Sequence, residues 1–258
     1  MQKDGSALLG PAANRHETFP WLVKFLDAWD WLSVQVHPDE EAVRRLLPGE
    51  GSKTEAWFVI QTAPGSRIYA GLLPGTNESK LRSALEMGNV TECLHSFEPQ
   101  PGDCVFLPAG TVHAVGGGVL MAEVQQTSDA TFRLFDWNRR DAKGKSRKLH
   151  IEESIASIHW NQGPVQPVRT GSANGPETRS LVRCRYFELE LIRASGLHTI
   201  GGMNRMAVAI VLKGSARLTL GSHEELLRTG EAWVFPAAMP DATIRPDPRV
   251  EILLSTLP

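Results

Sequence analysis

Apolar residues in this chain fall mostly into short runs bounded by glycine and proline, and helical spacing is scarce. Runs of that kind predict short strands. In the first half these are Ala56 to Gln61, Gly102 to Leu107 and Gly118 to Gln125. In the second half they are Phe187 to Arg193, Ala207 to Lys213, Ala216 to Leu220, Ala232 to Phe235 and Val250 to Leu254. Three segments carry a helical period instead. Asp39 to Leu47 follows Pro38 and repeats apolar residues at Val43, Leu46 and Leu47. Glu78 to Met87 sets Leu81 and Leu85 one turn apart and stops at Gly88-Asn89. Ile151 to Ile158 opens on Glu152-Glu153, where a helix N-terminus favours carboxylates. Many short strands with turns between them predict a mainly β protein, with a jelly-roll barrel in each half and a few short helices.

From Asn161 to Ser180 the chain loses apolar residues and gains Gly, Pro and Ser, the composition of a linker or crossing loop. The expected division is therefore residues 1–162, a connection at 163–180, and residues 181–258. An internal repeat supports two related halves. Pro101-Gly102-Asp103-Cys104-Val105-Phe106-Leu107-Pro108-Ala109 resembles Thr229-Gly230-Glu231-Ala232-Trp233-Val234-Phe235-Pro236-Ala237. The second copy lacks the Gly and His that follow the first, so it is expected to be a degenerate domain without metal ligands. His198 and His223 have no partners at ligand spacing.

Composition narrows the function. A chain of 258 residues with 27 basic and 29 acidic side chains has no bulk attraction to nucleic acid or to an anionic membrane. Any anionic ligand must be held by local charges. Three cysteines without a CxxC pair argue against a disulfide framework and fit a reducing cytoplasm. Met1 to Phe19 has no apolar core of a signal peptide, and no apolar run approaches the ~18 residues of a membrane span.

The candidate chemistry lies in the first half. Gln35 and His37 are two apart on a predicted strand, so they share a face, while Leu32, Val34 and Val36 take the other. Glu55 heads the apolar strand Ala56-Trp57-Phe58-Val59-Ile60, an unusual place for a carboxylate. Gly102, Pro108, Gly110 and His113 fit the spacing G-x5-P-x-G-x2-H, which resembles the second motif of the cupin superfamily. One amide oxygen, two imidazoles and one carboxylate, with no thiolate, suit a catalytic Zn²⁺ with an open position. Iron, cobalt, nickel and manganese would accept the same donors. Downstream, Glu123, Asp129, Arg133 and Asp136 form either a salt-linked surface loop or an acid/base and anion-binding group. The basic run Arg139-Arg140, Lys143, Lys145, Arg147-Lys148 is either a solvated loop or a phosphate-steering one.

Four ordered segments resemble the type I mannose-6-phosphate isomerases, in particular their short bacterial form. They are Leu32 to Asp39, Lys53 to Trp57, Pro108 to Ala114 and Gln126 to Arg133. The resemblance runs from about Phe19 to Trp160 and implies a zinc-dependent cupin that interconverts mannose 6-phosphate and fructose 6-phosphate through a cis-enediol. It implies zinc ligands at Gln35, His37, Glu55 and His113. Catalytic roles fall on Arg133, Glu123 and Lys53, and phosphate binding on Ser33 and Arg139. It also implies further strands ahead of Phe19, with a Gly-Glu-Ser-Trp-Glu-like segment that this sequence does not show. Two other functions fit the same donors: a non-catalytic sugar-phosphate-binding cupin and a metal-dependent cupin oxygenase.

Overall fold

The structure is a computed structural model that describes residues 4–171 and 175–258. Its elements begin with α1 (Gly5–Leu9), β1 (Trp21–Ala28), β2 (Val34–Val36), α2 (Glu40–Leu46), β3 (Glu55–Thr62) and β4 (Ile68–Leu72). Then come α3 (Glu78–Met87), β5 (Leu94–Phe97), β6 (Asp103–Leu107), β7 (His113–Val115), β8 (Val119–Gln126) and β9 (Phe132–Phe135). The middle of the chain holds α4 (Ile151–Ser157), β10 (Val168–Arg169), β11 (Glu177–Arg183), β12 (Glu188–Ala194) and β13 (His198–Ile200). The last four are β14 (Ala207–Leu220), β15 (His223–Arg228), β16 (Ala232–Phe235) and β17 (Ala242–Thr256). The protein is mainly β, with a few short helices.

Contacts divide the chain into two units. One is Trp21–Gly171; the other combines Met1–Pro20 with Ser172–Pro258. This differs from the expected division at its start, because α1 and the 3-10 turn Gly10–Arg15 fall in the second unit. There the backbone N–H groups of Ala237 and Ala238 donate to Leu8 and Ala7. The expected connection differs as well. Residues 163–171 are part of the first unit: Gly71 bridges Pro164, β10 pairs with β6, and Thr170 donates to the Gly102 carbonyl. The start of β11 already belongs to the second unit, and residues 172–174 lie outside the described residues.

Two five-stranded sheets build the first unit, in the orders β1-β8-β3-β6-β10 and β5-β4-β7-β2-β9. Neither closes on itself, so the expected barrel is two open sheets that share a core. Trp57, Val59, Val105, Leu107 and Met121 of one sheet meet Ile68, Ala70 and Val115 of the other. The opposite face of the second sheet packs Val34, Val36, Val112, Ala114, Phe132 and Leu134 with Leu81 and Ala84 of α3. Strand alternation then decides where the polar residues go. With Val34, Val36, Val112 and Ala114 packed beside α3, Gln35 and His113 project from the other face. Burial of this order, at ~25 cal/mol per Å² of apolar area, is what fixes the register. A slip by one residue would reverse every face.

Helix ends match their sequence signals. Asp39 caps α2 by accepting from the Ala42 N–H at 2.8 Å, and Asn77 caps α3 through Lys80 at 2.9 Å. Gly88 ends α3 in a left-handed conformation.

The second unit is a seven-stranded sheet in which β14 pairs with β15, β16 and β17. Its lattice repeats that of the first unit. The N–H of Gly102 donates to Val59, and that of Gly230 to Val211. Asp103 accepts from the Gln100 N–H with its carboxylate, as Glu231 does from Arg228, both at 2.9 Å. Glu55 pairs with Leu107 and Gln125, while Ala207 pairs with Phe235 and Thr256. Trp57 faces Glu123 across the ladder, and Ala209 faces Leu254. In register, the positions of Glu55, Gln125 and Glu123 are therefore taken by Ala207, Thr256 and Leu254.

Candidate metal centre and anion cleft

His37, Glu55 and His113 are about 1% exposed, and one ligand atom from each lies within 4.8 Å of the others. Among the described residues no other group of three such side chains comes together. The first-unit strands explain why these three meet. Glu55 opens β3, His113 opens β7, and His37 follows β2 directly. Gln35 pairs with His113 on one side and with Arg133 on the other, so the three share one face of the second sheet.

Backbone carbonyls fix both imidazoles. Nδ1 of His37 lies 3.0 Å from the Ala130 oxygen, and Nδ1 of His113 lies 2.9 Å from that of Thr111. A carbonyl only accepts, so each Nδ1 carries the hydrogen and each Nε2 presents a lone pair. Those lone pairs face Glu55 at 3.2 Å from His37 and 3.3 Å from His113. His37 Nε2 and both Glu55 oxygens are buried with no hydrogen-bond partner. Acceptors crowded against acceptors are unfavourable until a cation sits among them. Bonds of ~2.0–2.1 Å at tetrahedral angles separate neighbouring donors by about 3.3 Å, which agrees with both separations. The residues fit a metal ion. Gln35 Nε2 lies 3.2 Å from His113 Nε2; a half-turn of the amide presents its oxygen instead.

Charge around Glu55 is arranged to keep it ionised. Burial works to raise its pKa, but the positive charge that His37 carries when protonated, and then that of Lys53, overcome this and hold the carboxyl far below the usual carboxylate range. Lys53, 7% exposed, places Nζ 3.2 Å from Glu55. Burial pushes His113 down to about 4, against the pull of Glu55. The His113 ring is thus held in the neutral form that binds metals.

Glu123 stands beside this group. It accepts from Trp57 Nε1 at 3.1 Å and from Lys24 at 3.0 Å, and the Trp57 ring meets the His113 ring edge-on at 5.4 Å. Lys24 also donates to Gln125 at 2.6 Å. Sequence reading missed Lys24, Trp57 and Gln125 as members of the site. Their signal is cross-strand, since Lys24 and Trp57 both pair with Glu123 in the ladders, and that pairing is invisible along the chain.

Arg133 links the centre to a cleft of about 720 Å³. None of the three His/Glu side chains lines it. Six cations (Arg133, Arg139, Arg140, Lys145, Arg147, Lys148) and four carboxylates (Asp27, Asp30, Asp136, Asp141) do, so its charge favours an anion. Asp136 joins Arg139 at 2.6 Å and also Arg147, and Arg139 reaches Asp30 at 3.3 Å. Arg133 donates to the Lys148 carbonyl at 3.0 Å, while its Nε is buried without a partner. Ser33 is buried just ahead of β2, and Asp129 is exposed. The structure thus brings Gln35, His37, Lys53, Glu55 and His113 together, sets Glu123 one indole away, and puts Arg139 on the cleft wall.

A family profile described as "Phosphomannose isomerase type I, catalytic domain" matches residues 2–55. The chain is 36% identical to mannose-6-phosphate isomerase of Streptococcus mutans over 86% of its own length and 70% of that protein's. Identity to mannose-6-phosphate isomerase ManA of Bacillus subtilis is 35%, covering 85% and 70% of the two chains. The crystal structure of the mannose 6-phosphate isomerase from Bacillus subtilis superposes with a TM-score of 0.84 at 29% identity, over 93% of this chain and 76% of that one. A buried His-Glu-His centre beside a cationic cleft, on this fold and at this level of identity, makes the chain a member of the type I mannose-6-phosphate isomerase family.

Proposed function

We propose that this chain interconverts mannose 6-phosphate and fructose 6-phosphate by moving a proton between C2 and C1 through a cis-enediol. The observation that carries the reading is the set of partnerless buried acceptors on His37 and Glu55, with a cationic cleft beside them. Zinc is the ion that the donor set favours, held by His37, Glu55, His113 and Gln35. When bound, it supplies Lewis acidity to the substrate oxygens at C1 and C2.

The remaining work falls to side chains. Glu123, oriented by Lys24 and Trp57, takes the proton from one carbon and returns it to the other. Lys53, held by Glu55, donates a proton to the ring oxygen during ring opening and regains one from the anomeric hydroxyl, whose oxygen becomes the C1 carbonyl. Arg133 stabilises negative charge on the enediol oxygens. Ser33 and Arg139 anchor the phosphate, with Asp136 and Asp30 holding the Arg139 guanidinium in place. Three free thiols agree with a reducing cytoplasm as the place of work.

A coupled assay with mannose 6-phosphate tests this. Turnover by the zinc-loaded chain is expected, and Arg133→Ala should keep its metal while losing roughly 10²–10³ in kcat. Binding of mannose 6-phosphate without turnover would establish the non-catalytic alternative. Near-normal turnover by Arg133→Ala would remove its role.

A further inference from the structure

His159, just beyond α4, touches both chain segments that carry the histidine ligands. Its backbone N–H donates to the Gly110 carbonyl at 3.0 Å. Its Nε2 lies 2.8 Å from Asp39 Oδ2. Asp39 is two residues past His37, and its other oxygen caps α2. The N–H of Gly110 in turn donates to the His37 carbonyl at 2.8 Å. The turn that follows extends the grip: Gln162 donates to Thr111 Oγ1, and the Thr111 carbonyl fixes Nδ1 of His113.

The ring also crowds Gly110. A Cβ on that residue would fall 2.4 Å from His159 Cγ, and its φ of +84° is already in the left-handed region. So the glycine of the ligand loop answers two demands, one from the backbone and one from this imidazole.

We propose that His159 is a positioning residue for the metal centre, locking the His113 loop against the His37 segment so that both Nε2 atoms aim at Glu55. This rests on the metal-centre reading above and adds to it a clamp more than one bond removed from the ion. Groups hydrogen-bonded directly to metal ligands set affinity and ligand-field geometry, with losses of ~10–100-fold when they are removed, and His159 acts one step behind them. With one hydrogen bond to each segment, His159 belongs at the lower end of that range.

The test uses the full chain loaded with Co²⁺ or Zn²⁺, with affinity measured by chelator competition and geometry by the visible cobalt bands. His159→Ala is expected to weaken metal binding about tenfold and to change the cobalt spectrum. His159→Gln, which keeps a donor toward Asp39, should restore much of both. A cycle with Gly110→Ala separates steric locking from general damage. The Gly110→Ala loss should shrink when His159 is already alanine, because the colliding ring is gone. Gly49→Ala, at φ +97° with nothing within 4 Å, shows the backbone cost alone.

Three results overturn the proposal. One is a His159→Ala chain with a lowered melting temperature but wild-type metal affinity and spectrum. The second is a cycle whose losses simply add. The third is a wild-type chain that takes up no cobalt, which would also refute the metal-centre reading, whereas the first two would leave it standing.

Discussion

Loading and stripping the metal centre should change stability by an amount that follows from the site. Without a metal ion, His37 Nε2 and the two Glu55 oxygens are three buried acceptors that make no hydrogen bond, and only Glu55 Oε2 has a charged neighbour, Lys53 at 3.2 Å. Each such atom costs about 1–3 kcal/mol, so the apo first unit is held together in spite of its site. An ion that binds only the folded state adds RT ln(1 + [M]/Kd), or about 2.7 kcal/mol at a hundredfold excess over Kd. For a unit of about 150 residues, each kcal/mol raises the melting temperature by roughly 2–4 °C. Zinc should therefore raise the melting temperature by about 5–11 °C at that excess. Scanning calorimetry on chelator-treated and zinc-titrated protein reads the shift directly, with saturation at one ion per chain. His113→Ala, which deletes one lone pair from the group, should abolish most of it. His198→Ala and His223→Ala should leave it intact, because neither belongs to the cluster. A full-sized shift in His113→Ala would place the ion elsewhere and refute the reasoning.

Trp57→Phe keeps the ring against His113 but removes the donor to Glu123; a loss of about 1.5–3 kcal/mol in urea unfolding is expected, and less than about 0.5 would show that Lys24 alone satisfies the carboxylate. At Asp136 burial favours the protonated form, but hydrogen bonds from Arg147 and Arg139 prevail and hold its pKa below the usual value. Its contribution to stability is thus present above about pH 4 and lost as pH falls through the lower folded value. The stability gap between wild type and Asp136→Asn, measured by urea unfolding from pH 7 to 2, should close only at the acid end. Ala207→Glu puts a carboxylate at the second unit's counterpart of Glu55, with no imidazole facing it. It should destabilise by more than about 3 kcal/mol and leave metal stoichiometry at one per chain, as read by elemental analysis.

Much of the centre was legible along the chain because its signals are local. Alternation around Gln35 and His37, a carboxylate heading an apolar strand, and the fixed Gly-Pro-Gly-His spacing each depend on neighbours in sequence. What escaped is non-local. β1 lies at the edge of its sheet with exposed Leu22 and Phe25, so its residues alternate poorly, and only pairing with β8 makes Lys24 a partner of Glu123. Gly214 reads as a turn between two short strands, yet β14 runs straight through it. It is a bulge whose backbone passes so close to Arg249 that a Cβ would fall 2.1 Å from the carbonyl. Polarity alone marked residues 163–180 as a linker, but a polar segment with backbone partners can as well extend a sheet, and Val168–Arg169 does so beside β6.

The register shared by the two units has a consequence for how such a site is tolerated. One sheet lattice appears twice in one polypeptide, once with Glu55, Glu123 and Gln125 inside it and once with Ala207, Leu254 and Thr256. The second version is the ground plan with its functional frustration taken out: every substitution but one exchanges an ionisable or amide group for hydrocarbon. The protein thus carries its own unburdened reference. Placing alanine, leucine and threonine at 55, 123 and 125 and measuring the gain in stability would state how much folding energy these three polar positions hold back.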